Sequence, residues 1–136
     1  MDDLQRMNRI GSAGMKAQAN RLRVIAENLA NVDSMAKPPG GDPYRRKVVT
    51  FKSVLNQETG VNLVQVDRVE FDRSEFTRRH DPAHPSADAN GYTLLPNVNP
   101  LVEMMDMREA QRTYEANLNV VSTSREMVRR TLELLR

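Results

Sequence analysis

Hydrophobic side chains recur at helical spacing through the last third of the chain. The positions that form this seam are Met104, Met107, Gln111, Tyr114, Leu118, Val121, Arg125, Val128, Leu132 and Leu135. Successive members are three and four residues apart in alternation, and eight of the ten are apolar. A seam this regular predicts a helix that lies along another helix, as in a coiled coil.

Asn99 and Pro100 signal the start of this helix. Asparagine is a good N-cap residue and proline a good first helical residue. No proline or glycine follows before Leu135, so the helix is predicted to run for about 35 residues, roughly 52 Å. A small compact domain rarely needs one helix of this length, whereas a fibrous assembly does.

The first segment, from about Asp3 to Val32, has the same spacing. One seam consists of Leu4, Asn8, Gly11, Met15, Gln18, Leu22, Ile25, Leu29 and Val32, and a second of Ile10, Ala13, Ala17, Asn20 and Val24. Two adjacent seams predict a helix with a wide packing face. Small residues at Gly11, Ala13 and Gly14 would let another backbone approach closely. The residues from Asn31 to Ser34 favour turns and are expected to end the helix.

All seven prolines fall between Pro38 and Pro100, so both ends of the chain are free of them. Three prolines and two glycines predict a loop over residues 37–43. Strands are predicted at Tyr44–Lys52 and Val61–Phe71, joined by a turn at Asn56–Gly60.

The remainder of the middle segment is predicted to contain little regular structure. Residues 76–90 are expected to form an ordered loop, and residues 91–95 a last short extended piece. Two or three short antiparallel strands are therefore expected. Five of the six aromatic residues lie between Tyr44 and Tyr92, which places any compact core in the middle of the chain.

These elements predict a mainly α fold. Two long terminal helices pack as a coiled-coil-like hairpin, and a small β-rich segment lies between them in the sequence. The predicted division is residues 1–37 for the N-terminal helix, 38–97 for the loop and middle segment, and 98–136 for the C-terminal helix.

Composition and charge exclude several classes of protein. The 20 basic and 18 acidic residues are interspersed and give a net charge of +2, so no nucleic-acid partner is expected. The short basic clusters 45–47 and 78–79 are interpreted as solvated surface. Cysteine is absent, which excludes disulfides and thiolate metal sites. No apolar run is long enough for a direct membrane span, and charges scattered over the first thirty residues predict no cleaved signal peptide.

The sequence offers only weak candidates for catalytic and metal-binding residues. His80 and His84 have a spacing that suits zinc on a helix, but Pro82 and Pro85 break that helix and no third ligand accompanies them. The acidic residues Glu103, Asp106 and Glu109 share one side of the last helix and are interpreted as a solvated face. We therefore expect no catalytic residue, cofactor or metal, and no enzyme. The competing hypotheses are an enzyme or metal protein that uses the histidine loop, and a stand-alone coiled-coil adaptor or nucleic-acid binder.

Gln111 and Arg125 interrupt the apolar seam. Polar residues at such positions often fix the register or the oligomeric state of paired helices. Alternatively both lie at the edge of the seam, with the arginine stem covering apolar surface. The sequence leaves these two interpretations open.

Three stretches carry a resemblance to a known family. Residues 12–22 and 27–34, with a small-residue run followed by Asn28-Leu29-Ala30-Asn31, resemble the N-terminal signature of bacterial flagellar axial proteins. Residues 112–118 resemble the Tyr-x-Ala-Asn motif of the same proteins. Residues 81–99, with the acidic Met-rich stretch that follows, are similar to the proximal-rod branch of the flagellar basal-body rod family. Another rod paralogue is the nearest alternative.

The resemblance implies a structural subunit rather than an enzyme. Its expected partners are copies of itself, other flagellar rod proteins and, during secretion, the flagellar type III export apparatus. Its expected location is the periplasmic rod of the basal body, where terminal helices line the export channel and the rod acts as a drive shaft. The residues expected to form the assembly packing are Leu22, Ile25, Asn28, Leu29, Asn31, Tyr114, Asn117, Leu118, Val121, Val128 and Leu132.

Overall fold

A computed structural model describes residues 2–36 and 38–136. Met1 and Lys37 lie outside the described residues, so the two ends of the predicted segment 1–37 and the first residue of the predicted loop 37–43 are not considered further. The order of elements is α1 (Asp2–Ala30), β1 (Lys47–Asn56), β2 (Val61–Phe71), β3 (Thr77–His80), β4 (Tyr92–Leu95) and α2 (Pro100–Leu134). The prediction of two long terminal helices with a small strand-containing middle segment is confirmed.

The chain divides into two compact units. Unit 1 comprises the described part of Met1–Leu22 together with Val49–Arg68 and Arg108–Arg136, and unit 2 comprises Arg23–Val48 and Val69–Met107. The predicted division at residues 37 and 97 separates segments by their place in an assembly, whereas the two units are defined by contacts within one chain. The predicted division therefore stays a prediction.

Both helices begin and end close to the predicted residues. The Asn99 side-chain carbonyl accepts a hydrogen bond from the Leu101 amide at 3.1 Å, which confirms the predicted N-cap of α2. Helix α1 ends at Ala30, two residues earlier than predicted. The Asn31 side-chain amide donates to the Glu27 carbonyl at 2.8 Å, and the Asn31 backbone amide donates to the same carbonyl at 3.2 Å, so Asn31 satisfies a carbonyl in the last turn of the helix.

Two separate two-stranded sheets occupy the middle of the chain. Strands β1 and β2 are hydrogen-bonded neighbours, and the four-residue turn 57–60 between them makes the pair an antiparallel hairpin. Gly60 closes the turn at a φ of +72°, a conformation that glycine adopts at no steric cost. Strand β1 begins and ends later than the predicted Tyr44–Lys52.

The second sheet corrects the prediction of a loop over residues 76–90. Strand β3 pairs antiparallel with β4, with Thr77 opposite Leu95 and His80 opposite Tyr92. Every residue of β3 is exposed, and the strand contains two arginines and a histidine. The strand therefore shows no hydrophobic alternation, the signal on which a strand prediction depends.

The prediction of a compact core in the middle segment is wrong. The buried apolar side chains are Ala17, Val24, Ile25, Val98, Ala110 and Val121, and five of these six belong to the helices. None of the six aromatic residues is buried, and Phe51, Phe71 and Tyr92 are exposed. The β segment is too thin to cover its own aromatics, so burial follows the helices instead.

Within the described residues 2–36 and 38–136, no helix has both the length and the apolarity that crossing a membrane requires.

Candidate functional site

The predicted seam on α2 is covered in unit 1 at alternate positions, except at its last residue, Leu135, which is 78% exposed. Val121 is 5% exposed, and Tyr114 and Val128 are half-buried. The alternate members, Gln111, Leu118, Arg125 and Leu132, are exposed. We call these four residues the α2 ridge.

A different column of residues is more covered than the α2 ridge. In unit 1 its members are Ala110, Asn117, Ser124 and Thr131, each one position before a ridge residue. Ala110 and Ser124 are buried, whereas Asn117 and Thr131 are half-buried. Ser124 donates its hydroxyl to the Val121 carbonyl at 2.9 Å. Sequence reasoning did not identify this column, because it followed hydrophobicity, whereas close helix packing selects small side chains.

Two glycines of α1 create the close approach to α2. A Cβ atom at Gly11 would lie 2.7 Å from Val121 Cγ2 and 3.1 Å from the Asn117 carbonyl oxygen. A Cβ atom at Gly14 would lie 2.5 Å from Asn117 Oδ1. Only a residue without a side chain fits at these positions. The small residues of the N-terminal motif and the asparagine of the C-terminal Tyr-x-Ala-Asn motif thus pack directly against each other.

Asn28 is the centre of a polar network in unit 2. It is 1% exposed, and its side-chain amide bonds to both backbone groups of Lys47: Oδ1 accepts from the Lys47 N–H at 2.9 Å and Nδ2 donates to the Lys47 carbonyl at 2.8 Å. The Tyr44 hydroxyl donates to the same Oδ1 at 2.8 Å. Asn28 thereby ties the end of α1 to the start of β1.

Arg46 and Glu103 form the charged part of this network. Glu103 is fully buried, and its carboxylate accepts a hydrogen bond from Arg46 Nε. The same guanidinium lies 3.2 Å from Asp72 and 3.6 Å from Asp106. The Arg46 backbone N–H donates to Asn97 Oδ1 at 2.7 Å. A buried carboxylate needs such partners, because an unpaired buried charge is costly.

The environment of the network shifts the pKa of three of its groups. Burial, with the nearby carboxylates of Glu27 and Glu103, raises the pKa of Tyr44 to about 12. Hydrogen bonds from Ser74 and Arg46 lower the pKa of Asp72 despite its partial burial. Burial opposes the charge of Arg46, but the contacts with Glu103 and Asp72 outweigh it and raise its pKa. Each shift reinforces the state that the group already has at neutral pH, neutral for Tyr44 and ionised for Arg46 and Asp72.

These contacts correct two interpretations from the sequence. Glu103 is buried and therefore does not belong to a solvated face, and Asp106 is half-buried with its carboxylate 3.6 Å from Arg46. Glu109 is exposed, as the sequence predicted, and lies 3.6 Å from Arg21. The basic cluster 45–47 is also not plain surface. Lys47 pairs with Glu27 at 2.6 Å, and the Arg45 guanidinium lies 4.2 Å from the centre of the Phe76 ring.

The structure places the predicted assembly residues in three groups. Ile25, Asn28 and Val121 are buried. Leu118 and Leu132 are 41% and 53% exposed. The half-buried members are Leu22, Leu29, Asn31, Tyr114, Asn117 and Val128. Asn28 and Asn31 lie in unit 2 and have distinct roles: Asn28 bonds to β1, while Asn31 caps α1 and accepts from the Ser34 hydroxyl at 2.9 Å.

Sequence reasoning missed Tyr44, Arg46, Asn97 and Glu103 as members of the network around Asn28. Asn28 itself was found through the family motif. The available signal for the rest was weak: a tyrosine and three basic residues precede the first strand, and a lone glutamate opens the last helix between apolar neighbours. Nothing in their spacing indicates that these distant residues meet.

The histidine loop shows no metal-binding geometry. His84 Nδ1 accepts a hydrogen bond from the Ser86 amide at 3.0 Å, and the His80 ring packs edge-on against Tyr92 with centroids 4.9 Å apart. Across the part of the chain that the structure describes, no group of three or more His, Cys, Asp or Glu side chains could hold a metal ion.

Comparison with known proteins accounts for the motifs at both ends. The family model described as "Flagella basal body rod protein" matches residues 9–34, and the one described as "Flagellar basal body rod FlgEFG protein C-terminal" matches residues 89–134. A protein of Agrobacterium fabrum named flagellar basal-body rod protein FlgC is 47% identical over all of this chain and 98% of its own length. The chain belongs to the FlgC family of flagellar basal-body rod proteins.

Other FlgC proteins show that the similarity covers nearly the full length. The FlgC of Borreliella burgdorferi is 39% identical over 93% of each chain, and that of Bacillus subtilis is 36% identical over 92% of this chain and 93% of its own. The predicted assignment to the proximal-rod branch is confirmed, and with it the prediction of a structural rather than enzymatic protein. As a FlgC-family rod subunit, the chain is a structural component of the flagellar basal body and assembles with other rod proteins.

Proposed function

We propose that this rod subunit polymerises through its terminal helices and that the open half of the α2 seam is the surface that does so. The observation that carries the proposal is the α2 ridge. Leu118 and Leu132 are fourteen residues apart, two repeats of the seven-residue spacing of a helix-packing seam, yet they remain 41% and 53% exposed in the single chain. Further helices from neighbouring subunits would cover them.

The coiled-coil-like part of the predicted fold belongs to this proposal. Within unit 1, α1 covers one half of the α2 seam through Gly11 and Gly14. The other half completes its packing only in the assembly. Residues 1–37 and 98–136 would then form the inner wall of the rod around the export channel, with residues 38–97 outside it.

The same arrangement suits the proposed route to the rod. The subunit passes uncleaved through the flagellar type III export apparatus and joins copies of itself and other rod proteins in the periplasm. There it forms part of the drive shaft that carries torque from motor to hook. The absence of cysteine is compatible with this route, because no disulfide can form during passage between compartments.

The experiment is a single charge placed on the α2 ridge. Leu118→Asp puts a charge into a contact that the proposal requires to be dry, so the variant should be exported normally but should not enter the rod, and motility should be lost. Thr123→Asp is the matched control, because Thr123 is exposed on α2 but lies off the ridge. Normal motility of the Leu118→Asp strain would refute helix-mediated polymerisation.

A further inference from the structure

The α2 ridge contains one charged residue between two leucines. Leu118, Arg125 and Leu132 are seven residues apart, and all three are exposed. Arg125 makes no ion pair or hydrogen bond within residues 2–36 and 38–136. Any helix that covers this ridge must therefore accommodate a cation at its centre.

The position of Arg125 disfavours pairing of the ridge with itself. In an antiparallel pair centred on Arg125, the even spacing would place Leu118 opposite Leu132 of the second copy and Arg125 opposite Arg125. A parallel pair in register would also bring the two arginines together. Like charges across a helix interface destabilise it and exclude wrong partners. The surface that covers the ridge must be a different one, and it should carry an acid.

The first turns of α1 provide such a surface within the same unit. Asp3, Met7 and Ile10 follow one another at helical spacing and are all exposed. The Asp3 side chain is 92% exposed and has only a surface contact at 3.4 Å with Arg6. Ile10 is 44% exposed. We call Asp3, Met7 and Ile10 the α1 ridge.

A groove beside the α1 ridge extends its exposed apolar surface. It has a volume of about 450 Å³, and its rim includes Ile10 and the exposed side chains of Phe51 and Val64. A second copy that covers the α1 ridge would also cover these apolar side chains.

We infer that the α1 ridge of one copy packs antiparallel against the α2 ridge of a second copy. In this register Asp3 meets Arg125 and Ile10 meets Leu118, since both pairs of positions are seven residues apart. Gln111, seven residues before Leu118, then lies beside the groove. One register therefore satisfies the free cation and the exposed apolar side chains together.

This contact makes assembly open-ended. It joins two different surfaces of the chain, so each copy keeps one free ridge after it has bound a neighbour. A two-fold contact would stop at a dimer. The inference rests on the proposed polymerisation through the helices and specifies which helix surfaces meet.

Disulfide cross-linking tests the contact, because the chain has no cysteine of its own. Ile10→Cys and Leu118→Cys variants are expressed together as the only source of this subunit, and basal bodies are purified and oxidised. A disulfide forms only when two Cα atoms lie within about 7 Å. The pair should give mixed dimers, while either variant alone should give none. Ser12→Cys with Thr123→Cys, both exposed and off the ridges, should also give none.

The possible results distinguish the inferred contact from the proposed polymerisation through the helices. Dimers from either variant alone would indicate a two-fold contact and overturn the inference. Basal bodies that contain both variants without cross-links would also overturn it while leaving polymerisation through the helices intact. Basal bodies that exclude Leu118→Asp but accept both cysteine variants would support the proposed function independently.

Charge reversal provides a second test that does not depend on cysteine geometry. Asp3→Arg and Arg125→Asp should each abolish motility by placing like charges opposite each other, and the double variant should restore it. Failure of the double variant to regain motility, with both single variants stably expressed and exported, would overturn the pairing.

Discussion

At the scale of single residues, Gly11 and Gly14 explain why α1 contains two poor helix formers. Each glycine costs a helix about 1 kcal/mol relative to alanine. In return, the backbone of α1 comes close enough for Asn117 and Val121 to occupy the space where a Cβ atom would lie. Packing at this point outweighs helix propensity.

Gly11→Ala is therefore expected to destabilise the chain although alanine favours helices. The added methyl group would overlap Val121 Cγ2 and approach the Asn117 carbonyl, and overpacking of this kind costs about 1–3 kcal/mol. The free energy of unfolding, measured with urea, should fall. Ser12→Ala, on the exposed face next to it, should change that free energy by less than about 0.5 kcal/mol. A more stable Gly11→Ala chain would contradict the close contact.

The ionisation of Tyr44 should lower the free energy of unfolding at alkaline pH. Its folded pKa of about 12 exceeds the ordinary value of 10.0 because burial and the carboxylates of Glu27 and Glu103 disfavour the charged form. The contribution to stability is full below pH 10.0 and is lost as the pH rises towards 12, because only the unfolded chain ionises in that window.

The measurement is the difference between the wild type and Tyr44→Phe. Spectrophotometric titration of the folded proteins should show one tyrosine that ionises at the raised pH and is missing from the variant. The fall in unfolding free energy between pH 10.0 and 12 should be smaller in Tyr44→Phe than in the wild type. Equal falls in both proteins would show that Tyr44 is not the group responsible.

At the scale of elements, one side of α2 contributes to the stability of the chain, and the other side is the one proposed to contribute to assembly. The column that includes Val121 is covered by α1 within unit 1, whereas the α2 ridge is open. Hydrophobicity alone does not distinguish the two, because valine and leucine suit either column. The difference arises from the small residues next to Val121, which permit close packing on one side only.

Val121→Ala and Leu118→Ala should therefore have different effects. Removing two buried methyl groups at Val121 should lower the free energy of unfolding by about 2 kcal/mol. Leu118→Ala, at a position 41% exposed, should change it by less than about 0.5 kcal/mol and should instead reduce rod incorporation. Urea unfolding of purified protein and the amount of subunit in isolated basal bodies measure the two effects. A loss of stability in Leu118→Ala equal to that in Val121→Ala would contradict the assignment.

The helices could be predicted from the sequence to within about two residues at each end, because Asn99, Pro100 and Asn31 mark those ends chemically. Strand β3 could not, since it has no buried face and thus no apolar alternation. The Arg46–Glu103 contact was also not predictable, because it joins residues 57 positions apart through charges that look like ordinary surface. The column of α2 that contains Ala110 and Ser124 was not predicted, because ranking by hydrophobicity overlooks alanine and serine.

At the scale of the whole molecule, the two units are held by different forces. Unit 1 depends on close packing of small residues, and unit 2 depends on a hydrogen-bonded network around a buried carboxylate. A buried ion pair is strongly unfavourable to break, because the remaining charge has no partner. The units should therefore respond differently to changes of charge.

Arg46→Met should open unit 2 specifically. It leaves the buried Glu103 carboxylate without its cation, which typically costs about 3–5 kcal/mol. Native-state hydrogen exchange should show faster exchange of amides in Arg23–Val48 and Val69–Met107. Adding Glu103→Gln, which removes the charge, should recover part of the protection. Uniformly faster exchange over both units would instead mean that the chain opens as one.

The bond between Asn28 and Lys47 has a consequence beyond joining α1 to β1. An unpaired strand edge is a template onto which another extended chain can add, and rod subunits meet one another at high local concentration. The Asn28 side chain occupies both the N–H and the carbonyl of Lys47, as a neighbouring strand would. The end of the hairpin is thereby closed to strand exchange between copies, so that subunits associate through helices and not through stray β-pairing.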